Sequence, residues 1–356
     1  MQCERPKITR KTILLPIVGL AAFFLYILLF NVDIIEIVAT VGRSNPIIYL
    51  AAIIVSLAEV FFYAASWRSI LSYLQVKITM ARSYLFVWYG TYMDIVIPAE
   101  SISGEVCRVY LVNREQYGTG GKVVASVVTQ RLLGMGMNVI FLIAGVGLLI
   151  SDTKVDPAIF YVILFFAVAI AAFMALLLLV SAKENWSMKV ISSLIRFAEF
   201  LTRGRWKQLS QIKEEAVKDA KIFHDSMKEL IHKPKALLPP TTLIMVNWLC
   251  SLSVPYLVFL SLGFQVPWSV VFITGSIVVA VKSIPIGVPF EVGLPEITMT
   301  TLYISMGVPA DISAAATILS RILTLWLRFG IGFASQQWVE IGSTLKPKLP
   351  RFAKKA

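Results

Sequence analysis

Residues 98–108 read Pro-Ala-Glu-Ser-Ile-Ser-Gly-Glu-Val-Cys-Arg and follow directly on a short apolar segment. A second stretch, residues 285–296, reads Pro-Ile-Gly-Val-Pro-Phe-Glu-Val-Gly-Leu-Pro-Glu and also follows an apolar segment. Proline and glycine interrupt helices, so we predict that each stretch is a break in an apolar helix. A long apolar helix follows each break and carries an arginine inside its apolar run, Arg131 in the first and Arg321 in the second.

The two units agree in spacing as well as in content. The step from proline to glutamate has the same length in both, from Pro98 to Glu105 and from Pro289 to Glu296. The steps from these glutamates to the arginines that follow them differ by one residue. Two matching spacings indicate an internal repeat, and a duplicated broken helix is typical of membrane carriers.

The composition places the chain in a membrane. Of its 356 residues, 57% are hydrophobic and 15% are charged, and the mean hydropathy is +0.77. So few polar residues cannot cover a water-facing surface. Crossing a bilayer takes about 20 apolar helical residues, and six windows are long enough, at 12–30, 46–66, 123–150, 157–180, 237–261 and 312–339. Two shorter windows, 83–97 and 270–284, each end immediately before a proline.

The distribution of basic residues predicts the orientation. If both short windows are re-entrant half-helices, six segments cross and both termini lie on one side. Of the 33 lysines and arginines, 27 then lie on that side, four lie within apolar segments, and only Arg43 and Lys154 lie opposite. Because basic loops stay in the cytoplasm, both termini are predicted to be cytoplasmic. The second unit then crosses the membrane upside down relative to the first.

We therefore predict an all-α polytopic membrane protein with about six transmembrane helices and two re-entrant broken-helix hairpins, arranged as an inverted repeat. It would lie in the cell membrane of a bacterium or archaeon. The expected parts are an N-terminal transmembrane helix and outer loop at 1–45, a first repeat at 46–150 with its hairpin at 83–117, a connecting transmembrane helix at 151–181, cytoplasmic amphipathic helices at 182–236, a second repeat at 237–340 with its hairpin at 268–307, and a basic tail at 341–356.

The helices that restart after the breaks are the expected substrate site. Ser103 and Gly293 suit helix N-cap positions, and free amide groups at a helix start bind anions, phosphate especially. Two arginines would add fixed positive charge, and two acids could pair with them or stabilise the helix start, namely Arg131 and Arg321 with Glu105 and Glu296. Ionisable residues at this depth cost free energy and often line transport pathways. The alternative is a structural ion pair that holds a kinked bundle together.

Other ionisable residues fall inside or beside the apolar segments. These are Glu59 near the middle of a crossing, Asp94 and Lys282 near the ends of the two half-helices, and Glu100 and Glu291 in the breaks. Each could bind a proton or serve as an internal partner of an arginine, and the sequence leaves both roles open. Arg328 lies about two turns beyond Arg321, either on a similar helix face or with its side chain extended towards the cytoplasmic interface.

Motifs for several other activities are missing. No glycine-rich Walker loop indicates an ATP motor, and the isolated Cys3, Cys107 and Cys250 do not form a metal or disulfide framework. His224 and His232 lack the spacing of zinc ligands. We therefore expect neither cofactor nor metal. The net charge of +12 is explained by membrane orientation, so no nucleic-acid partner is expected.

The order of these residues resembles a known family. The resemblance lies in the Pro98 break with Gly104, Glu105 and Arg108, the run Ala-Ser-Val-Val-Thr-Gln-Arg at 125–131, the segment 285–296, and Ser-Arg-Ile-Leu-Thr-Leu-Trp at 320–326. Nearly the whole chain is similar to bacterial and archaeal flippase-like membrane proteins. That family is similar to the lipid-flipping region of lysylphosphatidylglycerol synthase, the multiple peptide resistance factor.

The resemblance implies that a lipid with a polar headgroup moves between leaflets. It points to five residues, Glu105, Arg108, Arg131, Glu296 and Arg321. The chain departs from the family at Gln130, where members often carry an acid, which weakens proton coupling at that position. No soluble aminoacyltransferase domain follows, so aminoacyl transfer is not implied.

Three functional classes fit the sequence. The first is a flippase or scramblase for a phospholipid or polyprenyl-phosphate lipid with an anionic headgroup, which would pass through a central cavity. The second is a secondary carrier for a small anion that uses the same arginines. The third is a membrane-embedded lipid-modifying enzyme, but the acids on the outer loops are scattered. We favour the first class and expect no enzymatic activity. The headgroup, the direction and energy source of transport and the oligomeric state stay open.

Overall fold

The computed structural model describes residues 39, 41–97, 102–152, 157–182, 209–282 and 293–345. Within these ranges the regular structure is helical and contains no strand. The helices are α1 Pro46–Tyr73, α2 Met80–Val96, α3 Ile102–Glu115, α4 Gly120–Asp152, α5 Pro157–Ala182, α6 Leu209–His232, α7 Leu238–Ser261, α8 Trp268–Lys282, α9 Leu294–Ser305, α10 Ala310–Arg321 and α11 Arg328–Leu345. A 3-10 turn, Pro234–Leu237, leads into α7, and a π-helical segment, Ile322–Leu327, joins α10 to α11.

Within the described ranges, four helical stretches are long and apolar enough to cross a membrane. They are Pro46–Tyr73, Gly120–Leu148, Pro234–Ser261 and Ala310–Ile341, and they coincide with four of the six predicted windows. The window at 157–180 corresponds to α5, which is 26 residues long. The window at 12–30 lies outside the described residues. The chain is an all-α polytopic membrane protein, as its composition predicts.

Local sequence signals set the starts of the first two helices. The Asn45 side chain accepts a hydrogen bond from the Ile47 amide at 3.0 Å, and Pro46 occupies the first turn, where a missing N–H costs nothing. The Thr79 hydroxyl accepts a hydrogen bond from the Arg82 amide at 3.3 Å. Both caps satisfy amides that would otherwise lack a partner at the helix start.

The two predicted repeats have matching helix lengths. The first long helix spans 28 residues in each, as Pro46–Tyr73 and as Pro234–Ser261. Residues 74–79 and 262–267 then lead to a short apolar helix in each repeat, α2 or α8. Equivalent positions in this part of the two repeats are therefore 188 residues apart. We call residues 46–152 the first repeat and residues 234–345 the second repeat.

The first long helices of the two repeats, α1 and α7, pack antiparallel to each other. At one end of the pair, the Asn45 amide donates to the Ser261 carbonyl oxygen at 2.6 Å. At the other end, the Ser66 hydroxyl donates to the Pro240 carbonyl oxygen at 3.1 Å. The start of α1 thus lies at the end of α7, and the end of α1 lies near the start of α7. This arrangement is expected when the two repeats run in opposite directions.

The short apolar helix of each repeat packs on the last long helix of the other repeat, so that α2 contacts α11 and α8 contacts α4. Glycines bring both crossings close. A Cβ on Gly332 of α11 would lie 2.8 Å from the Trp88 carbonyl oxygen, and a Cβ on Gly145 of α4 would lie 2.9 Å from the Phe272 Cβ. Small residues let membrane helices approach each other at backbone distance.

Helices α2 and α3 form an antiparallel hairpin around the first break. Arg82 near the start of α2 pairs with Glu115 at the end of α3, at 3.1 Å. Asp94 near the end of α2 accepts a hydrogen bond from the Ser103 hydroxyl at 2.9 Å. The end of α3 therefore lies beside the start of α2, so that the chain enters and leaves the hairpin on the same side. Both breaks lie outside the described residues. The first is 98–101, which contains Glu100, and the second is 283–292, which contains Glu291.

The amphipathic helix α6 packs against α4 and the end of α1. Its apolar residues Met227 and Leu230 are buried in a cluster with Ile70 and Ala125. The Asp219 carboxylate accepts a hydrogen bond from the Gly121 amide at the start of α4, at 3.3 Å. Protein therefore covers the apolar residues Ala220, Met227 and Leu230 of α6. The part of the predicted amphipathic region at 183–208 lies outside the described residues.

Candidate functional site

Each repeat contains one glutamate–arginine ion pair at the same place in its helix order. In the first repeat, Arg131 Nη1 of α4 lies 3.1 Å from both carboxylate oxygens of Glu105 of α3. In the second repeat, Arg321 Nε of α10 lies 2.5 Å from Glu296 Oε1 of α9. In both, the acid is on the helix that restarts after the break, and the arginine is on the following long helix. The acids and arginines that the spacing aligned in sequence therefore form pairs.

The two pairs differ in their access to solvent. The side chains of Arg321 and Glu296 are 6% and 4% exposed, whereas those of Arg131 and Glu105 are 18% and 20% exposed. A fully buried ion pair cannot lose one partner without leaving an uncompensated charge. The first-repeat pair is the more accessible of the two. The two equivalent ion pairs therefore differ in burial in this structure.

Carboxylates satisfy an amide at the start of each restarted helix. The Gly104 amide donates to Asp94 Oδ1 at 2.6 Å, and the Gly293 amide donates to Glu296 Oε2 at 2.7 Å. The prediction that the amides of the restarts are free for an anionic ligand is wrong at these two positions. Glu296 instead stabilises the helix start, which is one of the two roles that the sequence predicted for it. An acid lies within reach of each helix start, and its charge is stabilised by the helix dipole. A ligand anion would have to bind elsewhere or displace these carboxylates.

Two glycines make these restarts possible. Gly293 has a φ angle of 104°, which side-chain-bearing residues avoid, and this conformation directs its amide at Glu296. A Cβ on Gly104 would overlap the Asp94 carboxylate and would lie 2.5 Å from the Gly90 carbonyl oxygen. The close contact between α2 and α3, and with it the Asp94 cap, therefore requires glycine at position 104.

Arg108 is buried, with neutral groups as its hydrogen-bond partners. It is 4% exposed, and its guanidinium donates to Gln130 Oε1 at 2.9 Å and to the Tyr63 hydroxyl at 3.3 Å. The guanidinium carbon also lies 5.3 Å from the ring centre of Tyr63 and 5.0 Å from that of Trp67. Aromatic faces stabilise a cation without neutralising it. No carboxylate pairs with Arg108 among the described residues, so its positive charge stays available beside the first-repeat pair.

A third ion pair joins the two repeats. Arg328 Nη2 at the start of α11 lies 2.5 Å from Glu59 Oε2 on α1, and Glu59 is 8% exposed. The Glu59 carbonyl oxygen accepts a hydrogen bond from Asn247 Nδ2 of α7, at 2.9 Å. Arg328 therefore does not extend towards the interface. Arg321 and Arg328 reach different acids, and the wider turns of the π segment Ile322–Leu327 lie between them.

The predicted site residues thus fall into three described groups. The group around α3 contains Glu105, Arg131, Arg108, Asp94 and Ser103. The group around α9 contains Glu296 and Arg321. The group between α1 and α11 contains Glu59. Lys282 lies at the end of α8, partly buried and 188 residues after Asp94. Glu291 lies outside the described residues. Within the described ranges no group of three His, Cys, Asp or Glu could hold a metal ion.

Sequence reasoning missed four side chains of these groups, and a signal existed for most of them. Glu59, Tyr63 and Trp67 are spaced by four residues, which places them on one face of α1. Gln130 was noted only as a departure from the family, yet it is the residue that orients the Arg108 guanidinium. Asn247 lies 188 residues after Glu59, but this equivalence depends on the exact helix boundaries.

An apolar groove of about 480 Å³ opens between α4, α7 and α8. Its lining is mostly apolar and contains two serines, and consists of Leu148, Leu249, Leu252, Ser253, Pro267, Trp268, Ser269 and Phe272. At the equivalent place in the first repeat, 188 residues earlier, the rings of Phe61 and Tyr84 contact each other with their centres 6.0 Å apart. The groove lies on helices that are apolar enough to lie in a bilayer.

A family model matches residues 14–332, a range that contains both glutamate–arginine pairs and the Glu59–Arg328 pair. Its description is the lysylphosphatidylglycerol synthase TM region. The chain belongs to this family. The family resemblance predicted from the sequence motifs is therefore confirmed.

Similar archaeal proteins agree with this family assignment. A UPF0104 membrane protein of Pyrococcus horikoshii is 22% identical over 320 residues, which cover 89% of this chain and 94% of the relative. A UPF0104 membrane protein of Methanocaldococcus jannaschii is 21% identical over 330 residues, covering 92% and 94%. One from Methanothermobacter thermautotrophicus is 19% identical over 341 residues, covering 95% and 98%. The match to the family therefore extends over nearly the full length of each protein.

Proposed function

We propose that this protein is a flippase or scramblase that moves a lipid with an anionic headgroup between membrane leaflets, and that it is not an enzyme. The observation that carries the proposal is the pair of equivalent ion pairs, Glu105–Arg131 and Glu296–Arg321, in two repeats whose helices run in opposite directions. Carriers built from inverted repeats hold their substrate where discontinuous helices of the two repeats meet.

The difference in exposure between the two pairs supports an alternating mechanism. One pair is closed off at 6% and 4% exposure while the other is open at 18% and 20%. Exchange of the two conformations between the repeats would close the first pair and open the second. A substrate that binds beside the open pair on one side would then be released on the other.

In the membrane orientation that we propose, both hairpins are re-entrant and both chain termini are cytoplasmic. The first repeat then begins and ends outside, and α5 returns the chain to the cytoplasm. Residues 151–156 and 262–267 are outside, and residues 182–236 are inside. This arrangement keeps most of the 33 lysines and arginines in the cytoplasm.

Two features favour a lipid over a small anion as the substrate. Arg108 supplies a buried positive charge with neutral partners, which suits a phosphate-bearing headgroup. The groove between α4, α7 and α8 is apolar and of ligand size, which suits hydrocarbon chains. A phospholipid or a polyprenyl phosphate has both parts, whereas a small anion has only the first.

The test is lipid exchange by the purified protein in vesicles that contain a fluorescent phospholipid with an anionic headgroup. Arg131→Gln should slow exchange about tenfold or more, because a charge-assisted hydrogen bond contributes about 1.5–3 kcal/mol. The matched control is Arg82→Gln, which breaks the half-exposed pair with Glu115 and should leave the rate unchanged.

Stability and substrate class need separate controls. Arg131→Ala with Glu105→Ala should restore the stability that either single change loses, but it should not restore exchange. Vesicles loaded with inorganic phosphate test the alternative of a small-anion carrier. Phosphate uptake without lipid exchange would support that alternative and overturn the proposal.

A further inference from the structure

We propose that Glu59 is a proton-binding site that couples lipid movement to a proton gradient, and this inference rests on the proposed function. The site is the Glu59–Arg328 ion pair, which links α1 of the first repeat to α11 of the second. Nothing in the family assignment gives this pair a role. Its position, its neutral counterpart in the other half of the molecule and its incomplete hydrogen bonding carry the inference.

Glu59 lies close to the axis that relates the two repeats. Asn247 is its counterpart, 188 residues further on, and the Asn247 side chain donates to the Glu59 carbonyl oxygen at 2.9 Å. Two equivalent residues can touch only near the axis that exchanges them. An exchange of conformations between the repeats would therefore interchange the surroundings of Glu59 and Asn247.

The positions that correspond to this ion pair in the other half of the molecule are uncharged. Asn247 replaces Glu59, and the positions of α4 that correspond to Arg328 are Met137 and Asn138, allowing a one-residue change of register across the π segment. Among these corresponding positions, only one half of the molecule carries an ion pair. Burying two charges costs more desolvation free energy than burying neutral residues of similar size. An ion pair on one side alone indicates a role other than packing.

The hydrogen bonding of Arg328 is incomplete. Its Nε is buried without a hydrogen-bond partner in the part of the chain that the structure describes. The charge of this guanidinium is therefore balanced mainly by the Glu59 carboxylate, at 2.5 Å. If Glu59 took up a proton on a carboxylate oxygen, the new O–H would leave a net positive charge buried at Arg328. The contact between α1 and α11 would then lose its electrostatic attraction.

The groups around Glu59 connect it to the substrate site, so that a change in its charge can affect Arg108. From α7, Asn247 and Cys250 face it, and from α11, Arg328 does. One turn further along α1, the Tyr63 hydroxyl accepts a hydrogen bond from Arg108. A shift of α1 on release of Arg328 would therefore move a partner of the buried cation that we assign to the headgroup. Proton uptake at Glu59 and lipid movement are linked through α1.

The experiment uses the full-length protein in vesicles of anionic phospholipid with an imposed pH gradient. In the wild type, a gradient of one pH unit should shift the leaflet distribution of a labelled phospholipid by up to about tenfold if one proton accompanies each lipid. Glu59→Gln should exchange lipid in both directions with a distribution near one. The matched control, Glu340→Gln, breaks the exposed pair with Arg114 and should keep the wild-type response.

A second variant and a second measurement remove the dependence on folding. Glu59→Gln with Arg328→Gln leaves no unpaired buried charge, so it should fold and should also exchange lipid without a response to the gradient. Infrared difference spectra on acidification should show one protonated-carboxyl component in the wild type that is missing from both Glu59 variants, in which the other carboxyl groups keep their own bands. A gradient response in either variant, or carboxyl bands identical to those of the wild type, would overturn the assignment.

The two proposals fail in different ways. A wild type that exchanges lipid at a rate and distribution independent of the gradient would overturn the coupling and leave the proposed function standing. A wild type that exchanges no lipid under either condition would overturn the proposed function, and the coupling with it.

Discussion

Arg108 differs from the other buried arginines of the site because its described hydrogen-bond partners are neutral. Arg131, Arg321 and Arg328 each have a glutamate partner, whereas Arg108 has an amide, a hydroxyl and two aromatic faces. An ion pair attracts a further anion weakly because its charges cancel. A cation held by neutral groups keeps its attraction for an anion. The headgroup is therefore expected to be drawn towards Arg108.

Replacement of Arg108 should separate transport from stability. Arg108→Gln removes the charge but leaves only neutral groups, Gln130 and Tyr63, without their partner. Lipid exchange should fall about tenfold or more, while the free energy of unfolding should change by about 1–3 kcal/mol, the cost of buried groups left unsatisfied. Leaflet exchange and denaturant unfolding in detergent measure the two. Unchanged exchange in a folded Arg108→Gln protein would remove Arg108 from the site.

At the scale of helices, the membrane-spanning segments could be predicted from the sequence, whereas contacts between residues far apart in the chain could not. The long windows could be predicted because a bilayer demands about 20 apolar residues in a row. The Glu105–Arg131 and Glu296–Arg321 pairs could be predicted because their short spacings recur.

Glu59 and Arg328 lie 269 residues apart in sequence, and no local pattern joins them. The Asp94 cap on Gly104 was also missed, because it exists only once α2 folds back against α3. These contacts depend on how the helices pack, which spacing along the chain does not describe.

The crossing of α2 and α11 allows a sharp test of helix packing. Gly332→Ala places a Cβ 2.8 Å from the Trp88 carbonyl oxygen, whereas at Gly330 nothing lies within 4 Å. Gly332→Ala should destabilise the protein by about 1–3 kcal/mol through overpacking. Gly330→Ala, two residues away on the same helix, should be neutral or stabilise by up to about 1 kcal/mol, because alanine favours helix.

Thermal unfolding of the two glycine variants in one detergent gives the comparison. Equal stability of the Gly332→Ala and Gly330→Ala proteins would show that α2 and α11 do not approach each other at backbone distance. Lipid exchange measured on the same samples would report whether this contact also limits the alternation between repeats.

At the scale of the whole molecule, the two repeats form one body through exchanged contacts. α2 of the first repeat packs on α11 of the second, and α8 of the second packs on α4 of the first. Neither repeat therefore completes its own packing surface. In the proposed mechanism, a conformational change in one hairpin would act directly on the long helix of the other repeat.

The proposed orientation predicts which single cysteines react from outside the cell. In a background without Cys3, Cys107 and Cys250, a cysteine introduced at the exposed Gln265 should react with an impermeant thiol reagent in intact cells. A cysteine at Ala356 should react only after the membrane is opened, because both termini are expected in the cytoplasm. External labelling at Ala356 would contradict the orientation of the second repeat.

The connecting helix α5 has a consequence for biosynthesis. Many of its described side chains are exposed, such as Tyr161 at 68% and Phe165 at 67%, whereas Ile170 is buried against α4 and α8. In the proposed orientation each repeat crosses the bilayer twice and ends on the side where it began. A single additional crossing between them therefore reverses the direction in which the second unit enters the translocon.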